Sequence, residues 1–527
     1  MDFRSNVECD GHLAHAPYAV ISYCIFADVA SRKPLLSVVV SLDHRPITHH
    51  AILAAMNRNA HEELTFLDLA EASRLVQTRK VSPVELTRVC LDRIERLDPI
   101  LKAFITVTAE SAMQEARQAE SEILKGNWKG PLHGIPLAVK DLLETAGVRT
   151  TAASAVLQDS VPNHDAYIVQ RIRSAGAIML GKLNLHEFAY GGSAIISHYG
   201  IARNPWDTAR ITGGSSSGSA ATVAAGLCYG AIGTDTAGSI RLPSSFCGIT
   251  GLKPTYGLVS TRGVISLSWS YDHVGPMTRT AADAALMLQV IASYDSQDFY
   301  CRKFPPVHYP KAIEEQAEKA ASLRLGVARN FFQEVDPEVE SAVNSAVIKL
   351  GKLTSGVSDI TLSTEVDRTV MMCEAFVYHQ KYLPQHEAKY HPETLRRIRN
   401  GADVTAAQYV ESYRDLLRSR REALRMFEHL DLIVTPTSLF LPPTITELEA
   451  EPQDLRKKEL VMLRNTRPFN ALGLPAISIP CGFSSSGLPI GLQIAGAPGA
   501  EDKVLALAHA YQKMTDWHKR KPARMGH

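Results

Sequence analysis

The sequence predicts an α/β fold, a single large domain with helices layered on both faces of a sheet, and three observations predict it. Short, mostly apolar runs recur at Gly134–Lys140, Ile178–Gly181, Ala231–Gly233, Leu432–Pro436 and Ala476–Pro480, each short enough for a buried strand. Helical stretches alternate with them, among them an Ala-rich segment at Ser217–Leu227. The block at about 300–425 is different: it is charged, helix-rich and poor in glycine, and reads as a helical cap or insertion on the same core.

Residues 1–60 do not share this pattern and form an extension, leaving 61–527 as the main domain. The β-branched run Leu36–Leu42 predicts an edge strand. His44, His49 and His50 lack acidic or Cys partners at ligand spacing, so no metal site is expected. From Leu64 onward, Leu67, Leu69, Ala70, Ala72, Leu75 and Val76 predict an amphipathic helix. Ser82-Pro-Val-Glu85 predicts a capping box with Pro at the first helical position, opening a helix to about Leu97. A further helix is expected over Ala109–Lys125, rich in Ala, Glu and Gln, and a last amphipathic one over Val504–Thr515.

Composition narrows the function. With 45% hydrophobic and 21% charged residues among 527, the chain is an ordinary globular one. A formal net charge of +1 gives no electrostatic case for nucleic acid. The eight cysteines are scattered without a CxxC pair, as expected of free thiols in a reducing compartment. The most apolar N-terminal run, Ala16–Ala30, is interrupted by Asp28 and preceded by Glu8 and Asp10, and no run reaches the ~18 residues of a membrane span. The expectation is a cytoplasmic protein with no membrane association.

The chemistry concentrates in Thr212–Ser219, TGGSSSGS, and in Thr234-Asp-Thr-Ala-Gly-Ser-Ile-Arg-Leu-Pro243, with Lys140 ending the strand Gly134-Ile-Pro-Leu-Ala-Val-Lys. A serine hydroxyl needs a base to attack a carbonyl. His133 and His273 lie outside the glycine-rich setting. Lys140 is the better base, provided burial brings it from about 10.4 toward neutrality. An intervening hydroxyl could relay the proton, and the serines at 215 and 216 precede a helix whose N-terminus favours developing negative charge. The small residues of Thr236-Ala-Gly-Ser239 leave backbone N–H groups for an oxyanion hole. Asp235 and Arg241 read as an ion pair holding this turn rigid. A phosphate-binding loop is disfavoured, because Gly218-Ser219-Ala220 lacks the lysine that such a loop requires.

Taken together, Lys140, Gly213-Gly-Ser-Ser-Ser-Gly218, Gly233-Thr-Asp235, Gly238-Ser-Ile-Arg241, Phe246-Cys-Gly248 and Gly251-Leu-Lys-Pro-Thr-Tyr-Gly257 resemble the amidase signature family of serine hydrolases. The similarity continues in Phe469-Asn-Ala-Leu-Gly-Leu-Pro-Ala476 and Gly487-Leu-Pro-Ile-Gly-Leu-Gln493, and spans roughly residues 62–525. It implies a mixed, mostly buried twisted sheet and a Ser-cisSer-Lys triad. Lys140 would be the base, Ser215 the cis-peptide relay and Ser239 the acyl-forming nucleophile; the interval between the serines selects Ser215 over Ser216 and Ser217. Oxyanion donors would be the amides of Thr236, Ala237, Gly238 and Ser239. Ala189, Tyr190, Gly191 and Ser216 would meet substrate, and Tyr378, His379 and Tyr382 would shape specificity. No cofactor or metal is implied. The chain departs from the family at Ala237 and Ser217, where Gly is common.

The expected function is hydrolysis of a carboxylic amide C–N bond to carboxylate and amine through an acyl-enzyme, by a free-standing amidase. Its expected partner is a small-molecule amide, without nucleic acid, and a homodimer is left open. The alternatives are a glutamine-hydrolysing component of a tRNA-dependent amidotransferase, or a carbamate or aryl-amide hydrolase. The amidotransferase reading is disfavoured because Leu463 occupies the place where those proteins carry an acid for the glutamine amine, and Gly401 is not followed by their usual Thr-x-x-Leu-Ser.

Overall fold

The computed structural model describes residues 22–27, 34–39, 63–363 and 365–522. The chain forms two compact units, Met1–Glu63 and Leu64–His527. In the first, Ser22–Ala27 pairs antiparallel with Pro34–Val39. The expected edge strand at Leu36–Leu42 overlaps the second of these, while His44, His49 and His50 lie outside the described residues.

In the larger unit, eleven strands form one sheet. Numbered in chain order within that sheet, they are β1 (Phe104–Val107), β2 (Pro136–Lys140), β3 (Ile178–Leu183), β4 (Gly230–Asp235), β5 (Thr250–Lys253) and β6 (His273–Thr278), followed by β7 (Arg324–Ala328), β8 (Gly356–Ile360), β9 (Leu432–Pro436), β10 (Ala476–Phe483) and β11 (Pro489–Gly496). Their order across the sheet is β8-β7-β9-β11-β10-β5-β6-β4-β2-β3-β1. Pairing is mixed. β2 runs parallel to β3 and β4, and β7 parallel to β8 and β9, whereas β4–β6, β5–β10 and β10–β11 are antiparallel. Every residue of β2, β4 and β6 is buried. That explains why the apolar stretches of β2 and β4 show no alternation in the sequence, as expected of strands covered on both faces.

The helices follow from their caps and small residues. Pro83–Leu101 starts at Ser82, whose Oγ accepts from the Val84 N–H at 3.0 Å. The expected reciprocal box with Glu85 does not form there: Ser82 Oγ accepts from Val84 in place of Glu85 and donates to Glu120. Ser217–Ala224 is buried along its whole length, and its small side chains let it lie flat against the strands. A Cβ on Gly218 would sit 2.2 Å from the Ala103 carbonyl oxygen, so this close approach excludes any larger residue.

The block expected as a helical insertion over about 300–425 is helix-rich, but it also supplies β7 and β8 to the far edge of the sheet. The alternating Arg-Leu-Gly-Val-Ala run of β7 is too short to compete with the longer helices around it as a sequence signal. Among the described residues, no helix is long and apolar enough to cross a membrane.

Candidate active site

β2 and β4 are parallel neighbours, and the loop before Ser217–Ala224 crosses their C-terminal ends, the usual location for sites in sheets of this kind. Lys140 is the last residue of β2 and is fully buried. Its Nζ lies 2.8 Å from Ser215 Oγ, 3.0 Å from Ser216 Oγ and 2.8 Å from Thr234 Oγ1, within hydrogen-bond reach of all three. Burial lowers the ammonium pKa to about 7, against the opposing pull of Asp235 and Asp272. No carboxylate lies within ion-pair distance of Lys140 among the described residues. Asp141 pairs instead with the buried Lys182, at 3.0 Å.

The serine loop carries a cis peptide between Gly214 and Ser215. The Ser215 carbonyl accepts from the His186 N–H at 3.1 Å, and the Ser216 N–H donates to the Ser239 carbonyl at 3.2 Å, stitching the loop to the turn that bears Ser239. Ser216 Oγ donates to the Thr234 carbonyl at 3.1 Å. The expectation that Ser216 meets substrate is therefore corrected. Its hydroxyl is committed beneath Lys140 and takes no part in lining the cleft.

The turn after β4 is held from within. Asp235 accepts from the Gly238 N–H at 2.7 Å and the Ile240 N–H at 3.1 Å, and pairs with Arg241 at 3.0 Å, both side chains being fully buried. Burial would raise the Asp235 carboxyl, but the Arg241 guanidinium outweighs it and holds the group well below the usual carboxylate range. Gly238 is corrected as an oxyanion donor, since its N–H is spent on Asp235. The N–H groups of Thr236, Ala237 and Ser239 have no such partner among the described residues. Ala237 keeps a negative φ, so its methyl is accommodated at the place where the family commonly has Gly. At Gly238, by contrast, φ is +134° and a Cβ would lie 2.0 Å from Thr466 Oγ1. Only glycine fits there.

The distant motifs converge on the same turn. Arg241 also donates to Gln493 Oε1 at 2.7 Å, to the Thr466 carbonyl at 2.9 Å and to Asn470 Oδ1 at 2.5 Å. Asn470 Nδ2 returns a hydrogen bond to Asp235 Oδ1 at 2.8 Å. Asp272 fixes Thr236 from the opposite side, accepting from its hydroxyl at 2.6 Å.

Ser239 opens onto a narrow cleft shared with Ala189, Tyr190, Gly191, Thr236 and Ala237. Its hydroxyl has no hydrogen-bond partner among the described residues. Tyr378, His379 and Tyr382 do not line this cleft. They form an aromatic cluster whose His379 ring packs edge-on against Phe188 at 4.4 Å, behind Ala189. His133 bonds Glu122 and His273 bonds the Tyr271 carbonyl, so neither reaches the serines. Sequence reasoning missed the Thr234 hydroxyl on Lys140 and three arginines of the cleft, Arg368, Arg456 and Arg467. Thr234 lies inside the glycine-containing motif that bears Ser239; the arginines come from remote segments without any local signal. Among the described residues, no group of His, Cys, Asp and Glu is arranged to hold a metal.

The amidase family model matches residues 85–505. The chain is 41% identical over 485 residues to a glutamyl-tRNA(Gln) amidotransferase subunit from Methylococcus capsulatus, covering 86% of this chain and 98% of that protein. Among solved structures it resembles 6-aminohexanoate cyclic dimer hydrolase in complex with substrate, with a TM-score of 0.80, 30% identity, and coverage of 88% of this chain and 100% of that one. It also resembles the corresponding glutamyl-tRNA(Gln) amidotransferase subunit from Thermotoga maritima, with a TM-score of 0.69, 33% identity, and coverage of 85% and 95%. These relatives overturn the expectation of a lone small-molecule amide with no link to nucleic acid, because several carry the name of a tRNA amidotransferase component. The near-neutral net charge behind that expectation does not report on partners, since one member of an assembly can leave RNA binding to its neighbours.

Proposed function

The chain belongs to the amidase family, and on that premise we propose that it cleaves a carboxamide C–N bond through an acyl-enzyme at Ser239. The observation that carries the reading is Lys140, buried, brought to about pKa 7 and bonded to three hydroxyls. A neutral amine has two hydrogens and one lone pair, so at least one of those contacts must run from hydroxyl to nitrogen. Ser216 has already given its proton to the Thr234 carbonyl. Ser215 and Thr234 are left as hydroxyls able to give a proton to Lys140, and in this reading Ser215 is the one that relays the proton of Ser239.

In the proposed reaction, Ser239 Oγ attacks the amide carbon while its proton passes through Ser215 Oγ to Lys140 Nζ. The carbonyl oxygen takes the negative charge among the Thr236, Ala237 and Ser239 amides. Collapse breaks the C–N bond, the proton returns along the same route to the departing nitrogen, and a water then releases the carboxylate from the ester. Asp235 and Arg241 keep the amides in position and do not touch the reacting atoms.

The relatives named for tRNA amidotransferase support a finer reading, in which the protein is the amide-cleaving member of such an assembly and the nitrogen derives from glutamine. A second reading, an amide other than glutamine, draws on Leu463, which lines the cleft in the place expected for the amine-binding acid. Mass spectrometry of the protein quenched during turnover is expected to show an acyl adduct on Ser239. Ser239→Ala should carry no adduct and no turnover. Full activity in that variant would refute the reading.

A further inference from the structure

The cleft beside Ser239 contains three arginines and no carboxylate. Arg368 immediately precedes the helix Thr369–His379, Arg456 lies on Leu455–Met462, and Arg467 opens Arg467–Ala471. Arg467 donates to the Leu460 carbonyl at 3.0 Å, but its Nε is buried with no hydrogen-bond partner. No acidic side chain pairs with Arg467 or Arg368 among the described residues. Arg456 lies over the Tyr190 ring, 5.4 Å from its centroid, and its one carboxylate partner, Glu459 at 3.5 Å, is already held by Arg397 at 2.7 Å and Ser193 at 2.6 Å. Burial and the neighbouring Arg368 and Arg456 together lower Arg467 to about 10. Three half-buried cations that share a single, already engaged carboxylate are costly to hold together, and a bound anion relieves that cost. Away from Tyr190, Thr236 and Ser239, the remaining wall is apolar and includes Leu267, Met371, Leu460 and Leu463. It offers nothing to an ammonium group.

We propose that the amide cleaved here belongs to an anionic acyl chain without a free amine, a dicarboxylic acid monoamide, whose far carboxylate is held by Arg467 beside Arg456 and Arg368. This rests on amide cleavage at Ser239 and adds the charge of the substrate. The apolar side chains beside Ser239 would meet the methylenes between the two ends, and the guanidinium fork suits a carboxylate.

The test is a charge series on one carbon skeleton: pentanamide (neutral), glutaramate (anionic), glutamine (zwitterionic) and 5-aminopentanamide (cationic). For glutaramate, kcat/KM should exceed that for pentanamide by at least about 30-fold. Glutamine should fall below glutaramate, and 5-aminopentanamide should be the poorest. Arg467→Gln should collapse the glutaramate-to-pentanamide ratio, and Arg467→Lys should restore part of it. Independently of turnover, glutarate should bind the Ser239→Ala protein in calorimetry, and the added Arg467→Gln change should abolish that binding. Pentanamide or 5-aminopentanamide cleaved as well as glutaramate would overturn the proposal while leaving amide cleavage intact, and so would absence of glutarate binding. Arg467-dependent glutarate binding with no amide cleaved would instead uphold the anion site and remove the reading of amide cleavage.

Discussion

Lys140 shows how burial moves the titration of one side chain toward neutrality. Its folded-state pKa of about 7 lies below the ordinary lysine value of 10.5, and in the proposed reaction the active form is the one that has lost its proton. Log kcat/KM is therefore expected to rise by about one per pH unit below 7 and to level off above it. A profile flat from pH 5 to 9 would remove Lys140 as the base. The same shift makes a statement about stability. An unfolded lysine still binds the proton between pH 7 and 10.5 and the folded one does not, so this group makes stability rise with pH across that window. The sequence placed Lys140 at the end of a strand near hydroxyls. It could not show that Thr234 completes the set, because that contact depends on the register of β2 against β4.

At the scale of elements, the turn after β4 and the short helix Arg241–Cys247 are fastened by pieces of two other elements. Asn470 comes from Arg467–Ala471 and Gln493 from β11. Removing the guanidinium would leave Asp235 buried and charged, with the Asn470 and Gln493 acceptors unfilled. Arg241→Ala is expected to cost about 3–5 kcal/mol in denaturant unfolding. It should also lower kcat by disordering the amides around Ser239. A loss within the ordinary scatter of surface substitutions would show that the pair is dispensable. The pairing of Asp235 with Arg241 was legible, because opposite charges bracketed a glycine turn. The roles of Asn470 and Gln493 were visible only as motifs, since nothing local says which buried charge an amide will satisfy.

The whole molecule keeps every residue of the proposed chemistry within Leu64–His527. A chain beginning at Leu64 is expected to fold and turn over substrate with unchanged kcat/KM, as steady-state kinetics on the truncated protein would show. Loss of activity would assign residues 1–63 a part in the site. Fold class was readable from alternating apolar strands and helices, but strand order was not. β5 pairs with β10 across more than two hundred residues, whereas periodicity reports only on neighbours in the chain. The three cleft arginines escaped notice for the same reason, having been brought together by packing alone. That long-range pairing also sets the timing of synthesis. Lys140, Ser215 and Ser239 leave the ribosome early, while Asn470 and Gln493, which lock the turn through Arg241, are still untranslated. A half-made polypeptide therefore holds these three side chains without the clamp on Arg241, and on the proposed reading any turnover is deferred until translation is almost finished.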